Sequence, residues 1–442
     1  MRQAEKRNND ARRDVGIDGL RGIAALSVLV FHVWLFNDSH TTTRRDGALD
    51  YVFVELKLGL YLFFALSGFL LLRPYLRAAI AGRTPPATLP FVRNRLVRIA
   101  PAYWVSLVGS FVLIASAGDQ VSHHLPAASD VWTYAIFGQN FSEDTIMRLN
   151  PATWSLPVEL GFYLMVPLIG LLAFAAARRF DDRRVLVAAV VAVALAMVTV
   201  GLTWNWLTIG EGAVSRLSLL GMLPYFAIGM LAALGVALWQ SRRGLDRERD
   251  SRIAAAVGMA GAAVLAAAIL NYERDIYAES LHVIRDVPAA AGFGLLIAAV
   301  AIAPTTSLAN RALGARPLAG LGTISYGVYL WHVPILLWAR SEQLLPEGTV
   351  LAAALILAVS LIAGAASWLL VESPAIAWGR SLRMPSRSEP FARVRRQPPH
   401  RAHRNRPVGQ LPQRLGSTDA RRIILDSRQP SPGSAKKAAR LG

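Results

Sequence analysis

Ten stretches of this chain are apolar over lengths that approach or reach 20 residues, which restricts the fold more than any other feature. A helix needs about 20 apolar residues to cross a bilayer, and in lipid every backbone N–H and C=O must find its partner within the protein. The first stretch, residues 18–36, reads DGLRGIAALSVLVFHVWLF. The others are expected at 58–72, 101–117, 155–177, 185–202, 217–239, 253–270, 287–303, 318–339 and 350–370. The reading is an all-α polytopic membrane bundle of about ten transmembrane helices. Composition agrees: 54% hydrophobic, 17% charged and a mean hydropathy of +0.38 exclude an ordinary soluble protein. The first stretch is longer than a signal-peptide core and no A-x-A site follows it, so it is read as a retained span. With no cysteine, disulfides and thiolate chemistry are excluded.

Loop charge orients the bundle. Connections on one side carry eight Lys and Arg, those on the other carry 23, and the tail beyond Ala377 adds 16 of the total of 47. The positive-inside rule then puts both termini in the cytoplasm. The net charge of +18 is explained by that bias and by the tail, so no nucleic-acid partner is inferred. Residues 1–16 form a basic cytoplasmic segment and residues 17–378 the membrane domain. Residues 379–442 form a charged, proline-containing tail with a composition that cannot build a core. Its expected role is a solvated segment with affinity for anionic lipid. In the long connection 118–153 and just past it, Trp132, Tyr134 and Trp154 suit a membrane interface.

Several ionisable residues fall where lipid makes them costly. Arg21 opens the first span, and His32 lies eleven positions on, roughly 16 Å along a helix. Such a residue is either functional or a neutral histidine bonded to a neighbouring helix. Asp18 precedes Arg21 by one turn and suits an i, i+3 pair. Glu159 near the start of the fourth span and His332 in the ninth reach the same outer half of the membrane as His32. A histidine oriented by a carboxylate is the minimal general-base apparatus, with Glu159 as the orienter. The bland alternatives are an interfacial carboxylate at a helix N-terminus for Glu159 and packing beside Trp331 for His332. Arg93, Arg95 and Arg98 fall in an expected cytoplasmic loop. They reflect either positive-inside bias or a phosphate site at the membrane face.

The same residues carry a resemblance. IDGLRGIAALSVLVFH, FFALSGFLL, RNRLVRIAPAYW, WSLPVELGFY, LPYFAIGML, SYGVYLWHVP and VESP occur in order between residues 17 and 374. Together they resemble the membrane acyltransferase 3 family, inner-membrane enzymes that acylate extracytoplasmic sugars. The resemblance implies acyl-CoA, acetyl-CoA above all, as a donor from the cytoplasm, with no tightly bound cofactor and no metal. The implied acceptor is a hydroxyl of a sugar, glycolipid or glycan. It implies His32 as base or acyl relay and Glu159 as its orienter. Arg21, Arg95 and Arg98 become donor-phosphate contacts, and Asp18, Ser67, Trp154, Tyr329 and His332 further substrate contacts. Leu160–Gly161 departs from relatives that carry a second carboxylate or Gln after the Glu. The soluble esterase-like domain of some relatives is not found here, so the chain is expected to act alone or to hand its acyl group to a partner. The competing reading is a proton-coupled transporter or flippase, weakened by the lack of a half-to-half repeat. No sequence rule ranks acyl chains or acceptors.

Overall fold

A computed structural model describes residues 15–37, 48–117, 124–180, 182–242, 246–271 and 282–382, and the regular structure among them is helical. Residues 1–14 and the tail beyond residue 382 lie outside the described residues. Ten helices organise the rest: α1 (Val15–Asn37), α2 (Gly59–Ile80), α3 (Thr88–Ser116), α4 (Ser155–Phe180), α5 (Arg183–Leu207), α6 (Leu219–Gln240), α7 (Arg247–Leu270), α8 (Val287–Ile302), α9 (Arg316–Ser341) and α10 (Thr349–Ser367). A π-helical turn, Trp368–Glu372, extends α10 into a final helix, Ser373–Ser381. Polar caps start several of them. Asp182, Ser218 and Asp246 each accept a bond from a backbone N–H two or three residues on.

Among the described residues nine helices are long and apolar enough to cross a membrane, and α8, with 16 residues, is shorter. Packing decides its status. Gly19 of α1 lies against Leu313, Gly22 against Leu318 in α9, and His32 against His332, so α1 and α9 run parallel. For α9 to enter from the same face as α1, an even number of crossings must precede it, and that requires α8 to cross. Its start is tied to α2, through the bond from Tyr61 Oη to Asp286 (3.0 Å), and Val300 near its end lies beside Gly16. Among the described residues the protein is therefore a multi-pass bundle built on these ten helices.

Small residues let the backbones approach, as in other membrane helix pairs. A Cβ added at Gly322 of α9 would lie 1.8 Å from the Asp18 carbonyl oxygen, and one at Gly229 of α6 would lie 1.9 Å from the Ala65 oxygen of α2. Glycine is required at both crossings.

Four expectations need correction. The third span begins at Thr88, not 101, because Pro101 sits inside a continuous helix. Proline is tolerated there because neighbouring helices can satisfy the freed carbonyl. Arg93, Arg95 and Arg98 are thus helical, and the basic loop shrinks to residues 81–87. Tyr134 and Trp154 are not interfacial. Both are buried, with Tyr134 Oη donating to the Thr145 carbonyl (2.8 Å), while Trp132 is exposed. Arg285, one of the eight cations on the less basic side of the loop charge given above, is wholly buried. Its Nη1 donates to Glu55 Oε1 (2.9 Å) and its Nε to Asp286 Oδ1 (3.0 Å), tying α8 to the segment that leads into α2.

Candidate active site

Two cavities meet near the start of α1. The first, of about 370 Å³, is lined by Asp18 and Arg21 of α1, Arg95 and Arg98 of α3, Ser67 of α2, Glu159 and Tyr163 of α4, and Ser155 and Tyr329 toward its far end. Leu60, Phe63, Phe64, Leu70 and Leu71 supply its apolar wall. The second, of about 460 Å³, shares Asp18, Arg21, Arg95 and Arg98 and adds Asn94, Trp368 and Arg380. Four guanidinium groups therefore line the second cavity with one carboxylate. Among the described residues none of the four forms an ion pair, and the Asp18–Arg21 pair expected from spacing is not made. Unpaired arginines around a cavity are suited to a polyanion.

Glu159 stands inside the first cavity. Its Oε1 accepts bonds from Ser67 Oγ (2.9 Å) and Tyr163 Oη (2.6 Å). The expected bond from Glu159 to His32 is not formed among the described residues. The reason is where α4 begins. Residues 150–156 are all buried, so α4 starts well inside the bundle. Four more residues carry Glu159 down to Ser67 and the arginines.

His32 belongs to a different cluster. His332 Nε2 lies 2.9 Å from His32 Nδ1, and the rings are 5.0 Å apart. The far side of His332 is fixed too, with its Nδ1 at 2.7 Å from the Tyr329 carbonyl and 3.2 Å from that of Val328. His332 is buried, whereas His32 is only half-buried beside Phe31 and Phe36. The packing expected for His332 is thus a hydrogen bond to the proposed base. Neither histidine lines the first cavity. Tyr329 stands between, its ring 5.7 Å from that of His332 and its hydroxyl 2.7 Å from Ser155 Oγ.

Of the expected site residues, the fold gathers Asp18, Arg21, Ser67, Arg95, Arg98, Glu159 and Tyr329 around one cavity. Trp154 is left out: it packs edge-on against Phe64, 6.3 Å between centroids. The sequence reading missed Tyr163, although its i+4 spacing from Glu159 was visible. It also missed Arg380 and the buried Glu372, which accepts from Ser367 Oγ (3.1 Å) and is within electrostatic reach of Arg98 and Arg21.

The family follows from comparison. The profile described as an acyltransferase domain, acyltransferase 3, matches residues 14–369. The chain belongs to this acyltransferase family. It is 25% identical over 352 residues to O-acetyltransferase OatA of Staphylococcus aureus strain NCTC 8325, covering 74% of this chain and 51% of that protein. It is 28% identical over 378 residues to BcsY of Komagataeibacter xylinus, named as a membrane-bound transacylase, with 82% of each covered. It is 27% identical over 345 residues to YrhL of Bacillus subtilis strain 168, named as a peptidoglycan O-acetyltransferase, covering 74% and 49%. The chain spans about half the length of OatA and YrhL. No solved structure matches it.

Proposed function

We propose that this family member is a membrane O-acyltransferase that takes an acyl group from an acyl-CoA at the cytoplasmic face and passes it to a hydroxyl of an extracytoplasmic or membrane-associated sugar, glycolipid or related acceptor. The observation that carries the reading is the first cavity, with cations at one end and Tyr329, next to the histidine pair, at the other. The phosphates of the donor fit the unpaired Arg21, Arg95 and Arg98, and an extended acyl-pantetheine arm suits the apolar wall. The relatives named as O-acetyltransferases favour an acetyl donor and an envelope glycan. Loop charge supports a cell-membrane protein with both termini inside.

Acyl transfer to an alcohol needs a base for the hydroxyl proton and stabilisation of the oxyanion. His32, half-buried near the end of α1, is the base in this reading. Glu159 stays with the donor end through Ser67 and Tyr163. The test is transfer of labelled acetyl from acetyl-CoA, and from longer acyl-CoAs, by the full chain in nanodiscs. His32→Ala at matched abundance is expected to lose about 10²–10⁴-fold in rate with donor binding retained. Near-normal transfer by that variant would remove His32 from the mechanism.

A further inference from the structure

The hydrogen bonds around the two histidines fix which nitrogen of His32 is basic. Nδ1 of His332 faces two carbonyl oxygens, Tyr329 at 2.7 Å and Val328 at 3.2 Å. Carbonyl oxygens only accept, so this Nδ1 carries a proton. In neutral imidazole the other nitrogen is then an acceptor, and here it is Nε2, which lies 2.9 Å from His32 Nδ1. Two bare ring nitrogens cannot bond to each other, so His32 Nδ1 must be the donor. A neutral His32 protonated on Nδ1 keeps its lone pair on Nε2.

Placement supports the same direction of bonding. His332 is 1% exposed and held on both nitrogens, while His32 is half-buried, bonded to the Val28 carbonyl of its own helix and to one histidine of a neighbouring helix. The pair sits on two parallel helices locked by glycine contacts at Gly22 and Gly322, each ten residues before its histidine. The rigid partner is therefore His332 and the available one is His32.

We propose that His332 is a positioning residue that holds His32 in the Nδ1–H tautomer and so reserves His32 Nε2 for proton transfer. This rests on the acyltransferase reading given above. In the step, the acceptor hydroxyl gives its proton to His32 Nε2 as its oxygen bonds to the thioester carbonyl carbon. The C–S bond breaks, and the thiolate takes the proton from Nε2 and leaves as the free thiol. His32 returns to its starting state. While His32 is an imidazolium, its Nδ1–H donates to the neutral His332 Nε2. His332 gains and loses no proton.

Two measurements on the full chain in nanodiscs test this. The first is ¹⁵N NMR of histidine-labelled protein, with the His32 signals identified by their absence in His32→Gln. Wild-type His32 is expected to be protonated on Nδ1 and bare on Nε2. In His332→Ala the Nδ1–H state is expected to lose its dominance. The second is steady-state acetyl transfer. His332→Ala is expected to lower kcat by about 10–100-fold, the range that follows removal of the outer partner of a metal-bound histidine, with KM for acetyl-CoA within about twofold. His332→Gln, with an amide oxygen able to accept from Nδ1, is expected to recover most of that loss. A packing role alone would move neither the tautomer nor kcat selectively. Wild-type His32 protonated on Nε2, or full kcat in His332→Ala, would overturn the proposal. If His332→Ala fails to fold, the wild-type spectrum and His332→Gln still decide it. A wild-type protein that transfers from no acyl-CoA would overturn the acyltransferase reading, while the tautomer measurement would still judge the pairing by itself.

Discussion

Gly322→Ala tests the geometry that joins the two halves of the site. A Cβ at this position would lie 1.8 Å from the Asp18 carbonyl oxygen, and contacts under 3.0 Å essentially do not occur. The obstacle is backbone, which cannot rotate away, so α1 and α9 must part by about 1.2 Å. A rigid displacement of that size along the N···N line would stretch the His32–His332 bond from 2.9 Å to about 4.1 Å, beyond hydrogen-bond range. It would also shift Asp18 and Arg21 in both cavities. Overpacking of this kind costs typically about 1–3 kcal/mol. Gly320 is the control: it lies two residues earlier on the same helix with nothing within 4 Å of an added Cβ. Gly320→Ala is expected to be neutral, or to stabilise by about 0.5–1 kcal/mol through lower unfolded-chain entropy. The assay is the thermal midpoint of both variants in nanodiscs together with acetyl transfer. Gly322→Ala is expected to lower both and Gly320→Ala neither. Equal behaviour of the two variants would refute the close crossing of α1 and α9 and the coupling built on it.

Arg98→Ala is expected to raise KM for acetyl-CoA about 10–100-fold with little change in kcat, the loss of a charge-assisted hydrogen bond worth about 1.5–3 kcal/mol; titration of acetyl-CoA against transfer rate checks it. Arg285→Ala leaves Glu55 and Asp286 buried without their cation and is expected to destabilise the fold by about 3–5 kcal/mol, read as a lower midpoint and poorer insertion. Reporter fusions at Ser142 and Arg249 are expected to report opposite sides of the membrane, and agreement between them would sink the ten-crossing topology.

Much of the fold was legible because lipid imposes a rule that sequence must obey locally. A helix that satisfies its own backbone needs a long apolar run, and such runs can be counted without knowing their neighbours. The ten helices, the family motifs and the misplaced Arg21, His32, Glu159 and His332 were all visible in this way. Helix ends were less legible, because Pro101 reads as a start until neighbouring helices are present to tolerate it. Burial of Arg285 was hidden for a similar reason: its partners lie one and 230 positions away, and a charge on a connection looks solvated until the far one arrives.

Pairing within the site was decided by tertiary structure alone. From depth along separate helices, His32, Glu159 and His332 could all meet, and the sequence reading joined His32 to Glu159. Depth is one coordinate, and which helices are neighbours is another that no single span encodes. Gly22 and Gly322 bring α1 against α9, and that contact gives His32 a histidine partner. The buried start of α4 carries Glu159 to Ser67, Tyr163 and the arginines. The sequence by itself determined which costly groups enter the membrane. Helix packing, which joins His32 to His332 across 300 positions, determined which of them share a bond.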